Sequence, residues 1–416
     1  MIRIGIIGCG LQAATIVSSM SCFGDEYEVA AVADLNRKNA DDKLALMKVN
    51  VASDCVFYDS LESYLADPVG VDAYVIGTFC SAHAPTACAL EKFHKPIYVE
   101  KPVAVSFEQV QKLYDTFSGS ETPVMVSLPM RMCPLTKKAK ALIGSGLIGK
   151  INQIVGTENT PGENYFGTWF REIGKTGGMF LQKAVHDLDY QFYLADSLPE
   201  SVFGMSSTLQ FGGEKPADLT CDVCPDSKTC RFGPLAKFDD FGAYGSYAEA
   251  IEKMKYFGAY GGFNKKRFCL FSKAAGIEDA TSCIIRLKNG VTLTHTQNFT
   301  VAWHNSRRDT RLFGERGILT IDFSRSEIRF ESSVGKDEML FKVDPGKLNH
   351  YGGDRELVKS FLHLIKTGER AETDLIYGNG LYSTLAGIAS AASAGSGRMI
   401  GKEAFVMSKG KKAFVL

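Results

Sequence analysis

The sequence is short of several things at once. It has no net charge: Lys+Arg and Asp+Glu number 47 each in 416 residues. Without a surplus of either sign there is no electrostatic reason to expect a nucleic acid or an anionic membrane as partner. No apolar run approaches the ~18 residues that a membrane helix needs. Residues 1–8, MIRIGIIG, lack the long apolar region and the small-residue cleavage site of a secretory leader, and read as a first strand. The 11 cysteines are an odd number, scattered singly through positions 9 to 133 and bunched only at 221, 224 and 230. That usage reads as a reducing, cytoplasmic protein rather than a disulfide framework. What remains is a chain 45% hydrophobic, long enough at roughly 100–200 residues per domain for two or three domains.

The first stretch with chemistry in it is the run after residue 3. An apolar segment ends at Gly8, and Gly8, Gly10 and Ala13 give the spacing G-x-G-x-x-A at the opening of a helix. The first glycine permits a tight turn, the second lets backbone approach a pyrophosphate, and the small third residue lets helix pack on strand. Gly8, Gly10, Leu11 and Gln12 are therefore candidate cofactor contacts, at a helix N-terminus whose free N–H groups suit phosphate. A second apolar strand, 27–33, ends at Asp34, whose carboxylate can accept both ribose hydroxyls and favours NAD. Arg37 nearby leaves NADP open.

Further strands are expected at 72–76, 97–99 and 124–127, with helical patterns near 38–47, 60–66, 83–93 and 106–117. Such alternation implies a doubly wound parallel sheet, with ligands beyond the carboxyl ends of its strands. Two turns then fall beside the cofactor: GTFCSAHA after Ile76, which carries Thr78 and His83, and Glu100-Lys101-Pro102 after Val99. A lysine there can hydrogen-bond a substrate hydroxyl, stabilise an alkoxide or relay a proton.

Beyond about residue 125 the pattern turns strand-rich, at 151–157, 202–209, 280–287, 291–299, 317–322, 328–331 and 339–343, as in an α+β domain. Asn289-Gly290 is a hairpin turn that tolerates positive φ at both positions. In TGGMFLQKAVHDLD a glycine turn opens a helix on which Gln182, His186 and Asp189 share a face, with Lys183 and Asp187 on the next stripe. Trp169 and Arg171, in a Gly-rich loop with Asn164 and Tyr165, are candidates for stacking on and hydrogen-bonding a sugar. Arg131 sits at the expected domain junction. Cys221, Cys224 and Cys230 have the spacing of metal ligands, and with Cys269 as the first candidate for a fourth ligand and Cys283 as the second they are expected to form a closed, structural zinc site. Residues 210–275 read as an insertion pinned by that metal, with the aromatic stretch 238–263 as a lid.

Taken together, the glycine turn, Glu100-Lys101-Pro102, GSGLIGKI at 144–151, the His186 helix and HYGGD at 350–354 resemble the Gfo/Idh/MocA family, named for glucose-fructose oxidoreductase, inositol dehydrogenase and rhizopine catabolism. The resemblance implies a Rossmann domain, here 1–125, then a domain with a large open, mostly antiparallel sheet, here 126–416, serving substrate binding and assembly into a homo-dimer or homo-tetramer. It implies hydride transfer between a nicotinamide and a secondary alcohol carbon of a sugar, glycoside or cyclitol. His186 takes the family's catalytic position, with Lys101 and Lys183 as further catalytic candidates. Where the family often has an Asp four residues before that histidine, this chain has Gln182. Arg131, Trp169, Arg171, Gln182, Lys183 and His186 make up the expected substrate contacts. The Asp-to-Gln change keeps open an NAD-dependent glycosidase that oxidises C3 transiently, without net redox change; a non-catalytic NAD-binding scaffold or sensor is a third reading.

Overall fold

In the computed structural model, which describes residues 1–24, 27–232, 266–302, 305–346 and 350–415, two sheets meet at a cleft. The first has six parallel strands: β1 (Ile2–Ile7), β2 (Tyr27–Ala33), β3 (Val51–Tyr58), β4 (Ala73–Ile76), β5 (Ile97–Val99) and β6 (Val124–Val126), in the order β3-β2-β1-β4-β5-β6. Most of these strands are short unbroken apolar runs, as expected when helices cover both faces. The helices α1 (Leu11–Ser19), α2 (Arg37–Leu46), α3 (Leu61–Ala66), α4 (Cys80–Leu90) and α5 (Phe107–Phe117) return the chain between them. Their starts are written in the sequence: Asn36, Ser60 and Ser106 each accept the N–H three residues on, capping α2, α3 and α5. Strand β3 was not expected. It is an edge strand in which Ala52 and Tyr58 are buried while Ser53 and Asp54 face water, so it lacks a continuous apolar run.

The second sheet has eight strands, β7 (Ile151–Asn159), β8 (Pro199–Ser207), β9 (Ala280–Leu287), β10 (Thr292–Asn298), β11 (Arg307–Gly314), β12 (Gly317–Asp322), β13 (Glu327–Ser332) and β14 (Glu338–Lys342). Their order is β14-β13-β12-β11-β7-β10-β9-β8, antiparallel except between β7 and β10. The β9–β10 hairpin closes with the Leu287 N–H on Val291 O at 2.9 Å. Only Gly290 takes positive φ (+89°), because the loop has three residues with the glycine last, rather than the two-residue turn expected.

Short helices α6 (Pro129–Met132) and α7 (Pro134–Gly144) lead from one sheet to the other, and α8 (Ala184–Ala195) packs against β7 and β10. Near the C-terminus α9 (Gly353–Thr367) crosses back to the nucleotide-side sheet. Its Leu357, Val358, Phe361 and Leu362 are buried in the core formed by β1, β2 and α1, with Phe361 5.4 Å from the Tyr98 ring. The long α10 (Gly380–Ser396) lies on β8 and α8. The segments 177–186 and 350–354 are thereby held between the two sheets, and no helix among the described residues is long and apolar enough to cross a membrane.

Candidate active site

The cleft between the sheets has a volume of about 1650 Å³ and runs from Gly8 to Arg308. At one end it is lined by Gly8, Gly10, Leu11, Gln12, Asp34, Thr78 and His83, the residues expected to face a dinucleotide. Gly8 is required twice over. Its φ is +78°, and a Cβ there would come within 2.5 Å of the Thr78 backbone nitrogen, where the turns after β1 and β4 touch. Asp34 stands at the end of β2 and accepts hydrogen bonds from the N–H groups of Cys9 (2.7 Å) and Asn36 (2.8 Å), which aim its carboxylate at the glycine turn. His83 on α4 is buried with Nδ1 2.7 Å from the Pro102 carbonyl and Nε2 3.0 Å from the Thr78 carbonyl. It thus sits between the two turns that follow β4 and β5, and as a neutral ring it donates to one of the two carbonyls. Burial lowers its imidazole to about 4 against the Pro102 and Thr78 carbonyls, which favour a charged ring, with Lys101 adding to the effect of burial, so the ring is neutral at pH 7.

At the other end charges crowd together out of water. Lys101, joined to Pro102 by a cis peptide bond, donates from Nζ to the Gln182 carbonyl at 2.7 Å. Burial, followed by repulsion from Lys183, lowers its amine to about 8. Its neighbour Glu100 is buried, and burial raises that carboxyl to about 8 against the pull of Lys101. On β7 and β11 the cross-strand pair Glu158 and Arg308 are ion-paired at 2.7 Å. Glu158 also pairs with Lys183 at 3.2 Å, and Arg308 with Asp187 at 3.1 Å. Burial opposes the charge on Glu158, yet Arg308 and Lys183 hold its carboxyl well below the usual range. Lys183 is likewise opposed by burial and held above the usual lysine range by Glu158 and then Tyr165. His186 is buried at the start of α8, its Nδ1 without a hydrogen-bond partner. Burial, then Lys101, His350, Lys183 and Arg308, lower its imidazole well below the ordinary value. A neutral ring next to two lysines is arranged to accept a proton and not to keep it. Trp169 and Phe170 stack at 4.0 Å in the cleft wall, with Phe79 edge-on to Trp169 at 4.8 Å.

Residues 2–128 match the oxidoreductase family with an NAD-binding Rossmann fold, and residues 136–320 match the Gfo/Idh/MocA C-terminal domain. The chain belongs to the Gfo/Idh/MocA oxidoreductase family. It is 26% identical over 207 residues to the myo-inositol 2-dehydrogenase of Thermotoga maritima, a match over 50% of this chain and 59% of that protein. It is 25% identical over 232 residues to the rhizopine catabolism protein MocA of Rhizobium meliloti, over 54% and 68% of the two chains. Among solved structures, levoglucosan dehydrogenase in complex with NADH and L-sorbose superposes with TM-score 0.71 at 17% identity, covering 96% of this chain and 98% of that one.

Within this Gfo/Idh/MocA chain several expected residues lie elsewhere. Arg131 does not line the cleft: it is buried in α6 against Asp189, with the Glu372 and Gly378 carbonyls at 3.0 and 2.7 Å, so its donors are spent on joining α6, α8 and the 372–378 turn. Arg171 is also behind the wall, donating to the Ala217 carbonyl at 2.6 Å and lying 3.7 Å over the Phe268 ring. Arg37 points away from the glycine turn, over the Phe57 ring at 5.1 Å and toward Asp41 at 3.6 Å. Trp169, Gln182, Lys183 and His186 line the cleft as expected. The expected zinc site finds no support. Cys221, Cys224, Cys230 and Cys269 do border one cavity, but of only about 20 Å³, and Lys215 and Arg267 border it too. Lys215 is ion-paired with Asp226, and among the described residues no three His, Cys, Asp or Glu side chains are grouped to hold a metal. The expected lid, 238–263, lies outside the described residues.

Proposed function

We propose that this chain is an NAD-dependent dehydrogenase that oxidises a secondary alcohol of a sugar, glycoside or cyclitol. The observation that carries the reading is the meeting of a neutral, buried His186 with Lys101 at the end of the cleft opposite the glycine turn. The dinucleotide end suits NAD: Gly8 and Gly10 line the cleft beside the N-terminus of α1, whose free N–H groups suit phosphate, and an Asp34 carboxylate at the end of β2 suits ribose hydroxyls and repels a 2′-phosphate. A bound nicotinamide supplies the hydride acceptor. The chain does the rest: His186 takes the hydroxyl proton, Lys101 donates to the oxygen as negative charge develops on it, and the Trp169–Phe170 stack offers a face to the sugar ring. Lys183, held charged by Glu158, serves as a hydrogen-bond donor to a neighbouring hydroxyl rather than as a base. The names of the relatives, inositol 2-dehydrogenase and levoglucosan dehydrogenase, support the substrate class. Assembly into a homo-dimer or homo-tetramer is part of the same reading, supported by Phe203 and Ile284, adjacent in register on β8 and β9 and both exposed.

The test is NADH formation followed by absorbance with excess NAD and a panel of inositols, aldoses, anhydrosugars and aryl glycosides. Accumulation on a free sugar or cyclitol supports the dehydrogenase. Aglycone release at constant NADH would replace it with a redox-cycling glycosidase.

A further inference from the structure

HYGGD, residues 350–354, brings a second histidine to the first. His350, Tyr351 and Gly352 all have positive φ (+49°, +55° and +84°), a run that L-residues rarely adopt. Such a backbone persists only where its surroundings fix it. They do so here, because the two glycines pass so close to Pro345 and Pro129 that a Cβ on either would overlap a proline carbonyl oxygen. What this path achieves is placement. The His350 ring lines the cleft with its centroid 5.0 Å from that of His186 and tilted by 37°. Its Nδ1 lies 2.9 and 3.1 Å from the two carboxylate oxygens of Asp354, which is 2% exposed in the first turn of α9. His350 itself is 28% exposed, whereas the His186 side chain is buried.

We propose that His350, oriented by Asp354, is a relay residue that takes the substrate proton from His186 and hands it to water. The inference rests on the dehydrogenase reading above. The alcohol O–H breaks with its electron pair left on oxygen, and the proton goes to the His186 imidazole. The carbon then loses hydride to NAD+, forming the carbonyl. The proton crosses from His186, through one water or one substrate hydroxyl, to Nε2 of His350, whose Nδ1–H remains on Asp354, and from there to solvent. His186 returns to the neutral form its surroundings favour: Lys101 faces it from the turn after β5, Lys183 from the segment before α8 and Arg308 from β11, and all three disfavour a lasting positive charge. Asp354 provides a compensating carboxylate at His350 that His186 lacks.

Two measurements decide it. Histidine 15N NMR on the cofactor-free protein reports the tautomer of His350, which is expected as Nδ1–H in the native chain and altered in Asp354→Asn. Kinetics on His350→Gln and Asp354→Asn are expected to show kcat roughly 10- to 100-fold lower with KM for the alcohol within about threefold. A larger solvent isotope effect and partial rescue of His350→Ala by added imidazole are expected alongside. Melting curves of both variants identify any that fail to fold, and the His350 substitution serves if Asp354→Asn unfolds α9. A native protein that oxidises alcohols, with kcat within twofold of it in His350→Gln, would overturn the relay and leave the dehydrogenase standing. A native protein that reduces NAD with no alcohol would overturn the reading and the relay together.

Discussion

At the nucleotide end of the cleft, the lining is the glycine turn at Gly8 and Gly10, the N-terminus of α1 at Leu11 and Gln12, and one carboxylate, Asp34. At the opposite end it is Lys101, Glu158, Lys183, His186 and Arg308, of which Glu158, His186 and Arg308 are buried and the two lysines partly so. The first end recognises by shape, and its main chain offers the same donors at any pH. In the proposed function the second recognises by charges whose protonation depends on one another, so that altering one changes the rest. A damaged glycine turn is therefore expected to weaken binding, whereas a damaged charge network is expected to change the chemistry and the stability too.

The largest expected effect lies at the charged end. His186→Ala and Lys101→Met should each lower kcat by about 10²- to 10⁴-fold, the usual worth of a positioned proton carrier. NAD binding, measured by protein fluorescence or calorimetry, should survive both. Loss of NAD binding in His186→Ala would mean that the two ends are one structural unit and that the comparison fails.

Glu158→Gln tests the network through stability instead. It leaves Arg308 and Lys183 buried with less compensation, and breaking a buried pair costs about 3–5 kcal/mol. Urea titration should show a loss of that order, and turnover should fall because Lys183 is no longer anchored. A midpoint within experimental error of the native chain would show that water reaches the pair.

These two residues also mark where the sequence stops being legible. The glycine turn, Asp34 and Glu100-Lys101-Pro102 are local signals: each needs a particular residue at a particular backbone position, and that need is visible in a few consecutive letters. Glu158 and Arg308 are signals across strands. The burial of Ile154, Gly156 and Glu158 on β7 continues the same alternation through a charge, and Leu312, Thr310 and Arg308 on β11 do likewise. The two series face each other in register, Ile154 with Leu312, Gly156 with Thr310 and Glu158 with Arg308. An apolar-strand criterion ends β7 one residue before the glutamate and passes over β11 altogether. A period of two carried on through residues of opposite charge was the available clue. His350 was legible only in part: HYGGD before a long helix reads either as reaching the site or as capping that helix, and nothing local says that three successive left-handed residues turn it toward a histidine 164 positions earlier. The cysteine cluster was legible as a grouping, since Cys221, Cys224, Cys230 and Cys269 border one cavity, but the metal read from it finds no support: the cavity holds only about 20 Å³, and Lys215 and Arg267 border it too.

At the shape end, Gly8→Ala should weaken NAD binding at least tenfold while leaving the pH dependence of turnover intact. A Cβ there meets the Thr78 backbone in a left-handed conformation that itself costs about 1–2 kcal/mol. That is comparable to the 1.4 kcal/mol corresponding to a tenfold change in affinity. A shifted pH profile in this variant would show that the glycine turn also sets the protonation of the far end.

The smallest expected effect concerns His83, which sits between the Thr78 turn and the Pro102 turn and carries a titratable ring. Burial lowers that ring to about 4 in the fold, against about 6.5 in an unfolded chain. Between these values the unfolded chain binds a proton that the native one refuses, so acidification favours unfolding. Stability should therefore fall as pH drops from about 6.5, with this contribution levelling out below about 4. The slope is at most about 1.4 kcal/mol per pH unit for one group. His295, also buried and lowered to about 4, adds a parallel contribution from the second sheet. In His83→Gln the chain should be less stable at pH 7, having lost a buried ring packed between two turns, yet its stability should depend less steeply on pH below 6.5. Chemical denaturation of both proteins at pH 7, 6 and 5 measures the two slopes. Parallel slopes would mean that His83 titrates as it does in water, and that the join between the two ends of the cleft is open to solvent.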